Sequence, residues 1–200
     1  GEVNFKHRFL SKINEYVLSN YFQNVVAVSL DIKKILESKY GFVDSKVKVI
    51  HNGIEIPQQF PTWKERTPFI IGSLGRLVPV KNYKLFIEIA KELLKFGDNF
   101  RFELGGEGPE FRHIDELIRK YNLQDRFTMK GNVKDPEVFY NGIDLYINTS
   151  FHEGIPMTVL EAMSYGLPVI APDVGGIKEI IEDRIQGFLI NGWQPVEYAE

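Results

Sequence analysis

The chain has 200 residues, of which 44% are hydrophobic and 26% charged, with a formal net charge of −3. This length can bury a substantial core, and the weakly acidic balance argues against a dominant nucleic-acid surface. The absence of cysteine excludes disulfides, thiol nucleophiles and zinc–thiolate sites. Because the apolar runs are also far too short to span a membrane, we expect a cytoplasmic protein.

The first third of the chain predicts short elements that lead into a linker. The predicted elements are a helix over 5–22, a strand over Val25–Val28, a helix over Ile32–Lys39 and a strand over Val47–Ile50. Ser29 or Asp31 can cap the second helix. Polar residues and prolines then predict a linker over 57–67.

Strands and helices alternate from residue 69 onward. The predicted strands are Phe69–Ser73, Phe100–Leu104, Phe127–Lys130, Leu145–Asn148, Val169–Ala171 and Phe188–Ile190. The predicted helices are Tyr83–Phe96, Glu110–Tyr121, Pro136–Asn141, Met157–Tyr165 and Ile177–Glu182, with another beginning near Val196. This pattern predicts an α/β fold with a Rossmann-like, doubly wound parallel sheet, which binds ligands at the carboxyl ends of its strands.

The segment Ser150–Gly166 carries two carboxylates, Glu153 and Glu161, across a loop-to-helix junction. Gly154 permits close approach of a ligand, and Pro156 is expected at the first helical position. The free N–H groups and the dipole of that helix suit a phosphate. A phosphate repels carboxylates, whereas sugar and ribose hydroxyls can donate to them. The segment therefore indicates a sugar-nucleotide site.

Two cations follow the first strand of the alternating region. Arg76 ends the glycine-bearing run Gly72-Ser73-Leu74-Gly75-Arg76, and Lys81 comes five residues later. Together they can neutralise a diphosphate and stabilise the charge that grows on it as a leaving group. The alternative that stays open is that Arg76 and Lys81 are solvated side chains that flank a loop and bind no ligand. The sequence has no Asp-x-Asp motif and no ligand spacing among its histidines, so we expect neither a metal nor another cofactor.

Two glycine-rich turns follow later strands. The run Gly105-Gly106-Glu107-Gly108-Pro109 lacks the G-x-G-x-x-G spacing, which disfavours a dinucleotide oxidoreductase. Gly175 and Gly176 form either a loop over the ligand pocket or an ordinary turn, and both interpretations stay open.

With Gly154, Pro156, Leu160 and Ala162, the paired glutamates resemble the signature of retaining glycosyltransferases of the group 1 type. These enzymes use nucleotide sugars and have two Rossmann-like domains, the GT-B architecture. The Gly-x-x-Arg run followed by Lys81 fits the same family. The resemblance implies that residues 1–56 end the acceptor-side N-terminal domain. It also implies that residues 68–200 form a donor-binding domain, truncated at its C-terminus.

The resemblance also assigns roles to residues. The expected catalytic residues are Glu153, Arg76 and Lys81. The expected donor contacts are Gly75, Gly106, Val133, Gly154, Ile155, Pro156 and Glu161, with no metal ligand. The donor is expected to be a UDP-, GDP- or ADP-sugar. The expected acceptor is a saccharide or lipid-linked saccharide, with no nucleic-acid partner and with peripheral membrane contact at the inner face through the N-terminal domain.

Two other functions remain open at this stage. One is a non-catalytic nucleotide-sugar binding module, because this chain holds little of an acceptor domain and is expected to bind without efficient transfer. The other is a sugar-nucleotide epimerase of the same architecture. By resemblance, the intact pair of Glu153 and Glu161 favours the transferase in a pathway of polysaccharide or glycoconjugate synthesis.

Overall fold

The computed structural model describes residues 21–22, 24–57 and 66–200, which fall into two compact units divided between Asn52 and Gly53. Nearly all of the helix expected over 5–22 and most of the predicted linker lie outside the described residues. Among the described residues, no helix is both long and apolar enough to cross a bilayer.

In its described residues, the first unit contains a parallel strand pair and an α-helix. Its elements are β1 (Val25–Ala27), α1 (Leu30–Tyr40) and β2 (Val47–Val49), and β1 and β2 pair in parallel. The Ser29 hydroxyl accepts a hydrogen bond of 3.0 Å from the Ile32 amide, so Ser29 is the cap that begins α1.

The second unit is a six-stranded parallel sheet flanked by helices, which confirms the predicted α/β class. Its strands are β3 (Phe69–Leu74), β4 (Phe100–Gly105), β5 (Phe127–Gly131), β6 (Leu145–Ile147), β7 (Val169–Pro172) and β8 (Gly187–Ile190). Its α-helices are α2 (Tyr83–Leu93), α3 (Phe111–Lys120), α4 (Pro136–Gly142), α5 (Met157–Ser164) and α6 (Pro195–Ala199).

The order of strands across the sheet is β5-β4-β3-β6-β7-β8. The chain therefore builds outward from β3 to β5, returns to place β6 on the other side of β3, and builds outward again. Loops after β3 and β6 leave in opposite directions, which opens a crevice at the carboxyl ends of these two strands. Ile71 pairs with Leu145 and Gly72 with Tyr146, so the two strands lie in register at this point.

Apolar side chains cover both faces of the sheet. On one face, the rings of Phe86, Phe102 and Phe127 contact one another with centroids 5.0–6.1 Å apart. The other face is filled around Tyr140 and Tyr146, which are both fully buried. These contacts fix α2 against the sheet on one side and α4 on the other, and so hold the loops at the sheet edge.

The predicted helix over Ile177–Glu182 is wrong. A single 3-10 turn, Ile177–Glu179, takes its place, and Ile180 leaves helical geometry at φ −122°. The Glu182 amide donates to Gln186 Oε1 at 2.8 Å instead of to a helical carbonyl. The side chain of Gln186 thus competes with the backbone for this donor and directs the chain into β8.

We expect the Phe102→Ala substitution to lower the free energy of unfolding by about 3–5 kcal/mol, because it opens a cavity between two packed rings. Phe102 is completely buried, whereas Phe96 is 72% exposed and offers a matched control. Phe96→Ala should change the unfolding free energy by less than about 0.5 kcal/mol. Urea denaturation followed by circular dichroism measures both, and equal costs would contradict the packing described.

Candidate functional site

The crevice brings together an acidic and a basic side chain that lie 72 positions apart in sequence. Lys81 ends the 3-10 turn Pro79–Lys81 after β3, and Glu153 lies in the loop between β6 and α5. Lys81 Nζ lies 2.6 Å from Glu153 Oε1, and these side chains are only 21% and 11% exposed. The sequence assigned these residues to different parts of a ligand, and the structure pairs them directly.

Two further side chains donate to the same carboxylate oxygen. The Ser150 hydroxyl donates to Glu153 Oε1 at 2.6 Å, and Asn148 Nδ2 approaches it at 3.5 Å. Both residues are buried directly after β6. Neither residue is among the site residues predicted from the sequence. The sequence signal that could have identified Ser150 is its position, three residues before Glu153 and just after a strand.

Glu161 is held separately by a buried tyrosine. The Tyr140 hydroxyl on α4 donates to Glu161 Oε2 at 2.7 Å, and its ring stacks on Tyr165 with centroids 5.4 Å apart. Burial raises the pKa of Tyr140 far above its usual range, and neighbouring Tyr146 and the bond to Glu161 add to this shift. Tyr140 therefore remains a neutral donor that orients Glu161.

The predicted start of α5 at Met157 is confirmed, but the expectation that Pro156 occupies the first helical position is wrong. Pro156 precedes the first helical residue, because its ψ of 116° is extended, and its carbonyl accepts from the Val159 and Leu160 amides. The helix therefore begins at Met157. Among the described residues, the amides of Met157 and Thr158 have no backbone acceptor, as is usual for a first turn that can bind an anion. Ile155 and Pro156 are buried beneath this turn, and Gly154 is half-buried.

The two glycine loops after β3 and β4 pack against each other. The Gly75 amide donates to the Gly105 carbonyl at 3.0 Å, and the Gly106 amide donates to the Gly131 carbonyl at 2.7 Å. Gly106 has φ +129°, and a Cβ there would lie 1.9 Å from the Gly75 carbonyl oxygen. Only glycine permits this approach, which places the Gly-x-x-Arg loop at the sheet edge.

The second glycine turn lies against the backbone of the site. Gly175 has φ +55°, a Cβ there would lie 1.8 Å from the Glu153 carbonyl oxygen, and the Gly176 amide donates to that oxygen at 3.2 Å. The Gly175-Gly176 run is therefore a tight turn that packs on Glu153 and helps to hold its loop.

The remaining predicted residues lie along the same edge. Arg76 is exposed, and among the residues that the structure describes it forms no ion pair. Val133 is half-buried, and its side chain fills the space beside Gly105 that a Cβ would occupy. Within the described ranges, no group of three or more His, Asp or Glu side chains is arranged to hold a metal ion.

A buried tyrosine anchors the loop that carries Gly75 and Arg76. The Tyr146 hydroxyl donates to the Leu74 carbonyl at 3.0 Å and accepts from the Leu74 amide at 3.4 Å. Tyr146 is 1% exposed, and this burial raises its pKa to about 12. The backbone N–H and C=O of Leu74 in β3 are thus both hydrogen-bonded to the Tyr146 hydroxyl from β6.

The raised pKa of Tyr146 predicts that the free energy of unfolding decreases at alkaline pH. Between its unfolded pKa of 10.0 and its folded pKa of about 12, the unfolded state releases the phenol proton first, so stability falls as pH rises. We expect Tyr146→Phe to lower the free energy of unfolding by about 1 kcal/mol at pH 7, because it removes the hydroxyl and its hydrogen bond. The cost should shrink as pH rises through this window. Urea unfolding of both proteins at neutral and alkaline pH measures the difference, and a constant difference would contradict the assignment.

Comparison with known proteins places the chain in one family. The model of the family "Glycosyl transferases group 1" matches residues 55–200. This range contains the whole six-stranded sheet and every predicted site residue.

Curated relatives align over most of the chain. A poly(ribitol-phosphate) alpha-N-acetylglucosaminyltransferase of Staphylococcus aureus is 31% identical over 186 residues, which cover 90% of the chain and 36% of that protein. A phosphatidylinositol N-acetylglucosaminyltransferase component from Arabidopsis thaliana is 30% identical over 179 residues, covering 87% and 40%. The chain thus spans roughly two-fifths of the length of these relatives.

Solved structures share the fold. TarM of S. aureus, in a complex that includes UDP, superposes with a TM-score of 0.82 at 27% identity, covering 91% of the chain and 36% of TarM. HepE of Anabaena, in complex with UDP and glucose, gives 0.82 at 24% identity, covering 94% and 56%. The six-stranded sheet is therefore the Rossmann-like sheet of the GT-B architecture.

Proposed function

The chain belongs to the glycosyl transferases of group 1, and from this premise we propose that it is the donor-binding part of a transferase. The complete enzyme would move a sugar from a nucleoside-diphosphate sugar to an acceptor hydroxyl, in the synthesis of a polysaccharide or glycoconjugate. The observation that carries the proposal is the shielded pair of Lys81 and Glu153 at the crevice between β3 and β6. Ligands of doubly wound sheets bind at such a crevice.

The diphosphate would lie between the first turn of α5 and the loop after β3. The Met157 and Thr158 amides offer N–H donors with the positive end of the helix dipole. Arg76 is exposed and can bind phosphate oxygens bidentately, and Lys81 adds a point charge. These cations would stabilise the charge that develops on the departing nucleoside diphosphate, without a metal ion.

The carboxylates would bind hydroxyl groups of the donor. Glu161 retains acceptor capacity beyond its bond from Tyr140 and would accept from the ribose. Glu153 would accept from hydroxyls of the donor sugar and stabilise oxocarbenium-like charge at the anomeric carbon. Retention of anomeric configuration is part of the proposal through the paired-glutamate resemblance. A retaining hydrolase needs two carboxylates about 5 Å apart that flank the bond. Because Glu153 and Glu161 are both assigned to hydroxyl binding, we assign Glu153 no covalent role.

The relatives suggest which donor to test first. The two curated relatives described above are N-acetylglucosaminyltransferases by name, and the TarM complex contains UDP. We therefore propose UDP-N-acetylglucosamine as the first candidate donor, and a saccharide or lipid-linked saccharide as the acceptor of the complete enzyme.

Calorimetric titration with UDP, GDP and ADP, each in buffer with EDTA, tests the nucleotide site. We expect UDP to bind, and Arg76→Ala and Glu161→Ala each to raise its Kd by about 10-fold, because each removes hydrogen bonds that involve a charged group.

Arg119→Ala is the control for this titration. Arg119 is 65% exposed on α3 and pairs only with Asp115 of its own helix among the described residues. Loss of this surface pair should leave the Kd within about twofold, since exposed pairs contribute little. Absence of nucleotide binding, or equal losses in all three variants, would overturn the proposed site.

A further inference from the structure

All the donors that reach the Glu153 carboxylate within the described residues converge on one of its two oxygens. Lys81 Nζ and Ser150 Oγ each lie 2.6 Å from Oε1, and Asn148 Nδ2 lies 3.5 Å from it. In this part of the chain no donor contacts Oε2. An ionised carboxylate has about four acceptor sites, so the second oxygen keeps its full capacity for a ligand hydroxyl.

Ser150 is itself held rigidly from both sides. Its amide donates to Asn148 Oδ1 at 3.0 Å, and its carbonyl accepts from Trp193 Nε1 at 3.3 Å. Ser150 is 1% exposed, so its hydroxyl has few alternatives to Glu153. A hydroxyl bond to a carboxylate at this distance is a strong, charge-assisted one.

The other close donor has a second task under the proposed function. Lys81 is also assigned to the diphosphate, and its ammonium sits on a flexible four-carbon stem. When Lys81 turns toward phosphate oxygens, Glu153 loses part of its support. Asn148 approaches only at the outer limit of hydrogen-bond distance, so Ser150 becomes the close donor that remains.

We propose that Ser150 is a positioning residue that fixes the Glu153 carboxylate so that Oε2 faces the donor sugar. This inference rests on the proposed function, because it takes Glu153 as the sugar-binding group. It has a selective consequence. Ser150 should matter for a nucleotide that carries a sugar and should not matter for the nucleotide alone, since UDP presents no hydroxyl to Glu153.

The test compares UDP with UDP-N-acetylglucosamine and UDP-glucose in calorimetric titrations of wild type and Ser150→Ala. In Ser150→Ala, we expect a rise of about 5–10-fold in the Kd of each UDP-sugar that the wild-type chain binds. The Kd of UDP should stay within about twofold of the wild-type value. Ser150→Cys replaces the hydroxyl with a somewhat larger thiol that is a weak S–H donor, so its loss should be intermediate.

Ser164→Ala is the matched control. The Ser164 hydroxyl donates to the Glu161 backbone carbonyl at 2.7 Å, so this variant removes a serine hydrogen bond of similar length from α5 without touching either carboxylate. Both ligands should keep their wild-type affinity. Thermal unfolding shows whether each variant is folded, and Ser150→Cys carries the comparison if Ser150→Ala is not.

The outcomes separate the inference from the function on which it rests. If wild type binds UDP and a UDP-sugar, and Ser150→Ala weakens both equally or neither, the positioning role is overturned and the donor site stands. If wild type binds no UDP and no UDP-sugar, the proposed site fails and the role of Ser150 fails with it.

Discussion

The site depends on a carboxylate that is charged and largely shielded from water. Removing a carboxylate from water is costly unless a cation and hydrogen-bond donors compensate for it. Glu153 obtains both from chain segments far apart in sequence, since Lys81 follows β3 and Ser150 follows β6. The crevice between these strands is where the segments can meet. Under the proposed function, a carboxylate prepared in this way would need little reorganisation to receive hydroxyl groups of the donor, as electrostatic stabilisation of a transition state requires.

The rest of the sheet edge serves to hold these two loops at a fixed separation. Tyr146 ties Leu74 to β6, and the contact of Gly106 with the Gly75 carbonyl presses the β3 and β4 loops together. On the other side, the Gly175 turn packs on the Glu153 backbone. Each of these contacts limits how far the charged groups can move, and under the proposed function a displacement of about 1 Å would cost a large part of the activity.

The sequence predicted most of the sheet because alternating short apolar strands and amphipathic helices leave a strong periodic signal. It also predicted which loops would form the candidate site, since glycines, paired carboxylates and cations stand directly after strands. Contacts between distant loops leave no such signal, so the pairing of Lys81 with Glu153 and the support from Tyr140 could not be read from spacing. The wrong helix at Ile177–Glu182 has a local cause, because a side-chain acceptor on Gln186 competes for one backbone donor. The position of Pro156 shows the usual uncertainty of one residue at a helix end.

A crystal structure of this chain with UDP-N-acetylglucosamine would show whether the donor binds at the crevice and at Glu153. We expect the diphosphate between Arg76 and the first turn of α5, the ribose at Glu161, and a sugar hydroxyl on Oε2 of Glu153, whose Oε1 remains bonded to Ser150. A nucleotide bound away from the crevice between β3 and β6 would contradict the proposed site, as would a sugar that makes no contact with Glu153.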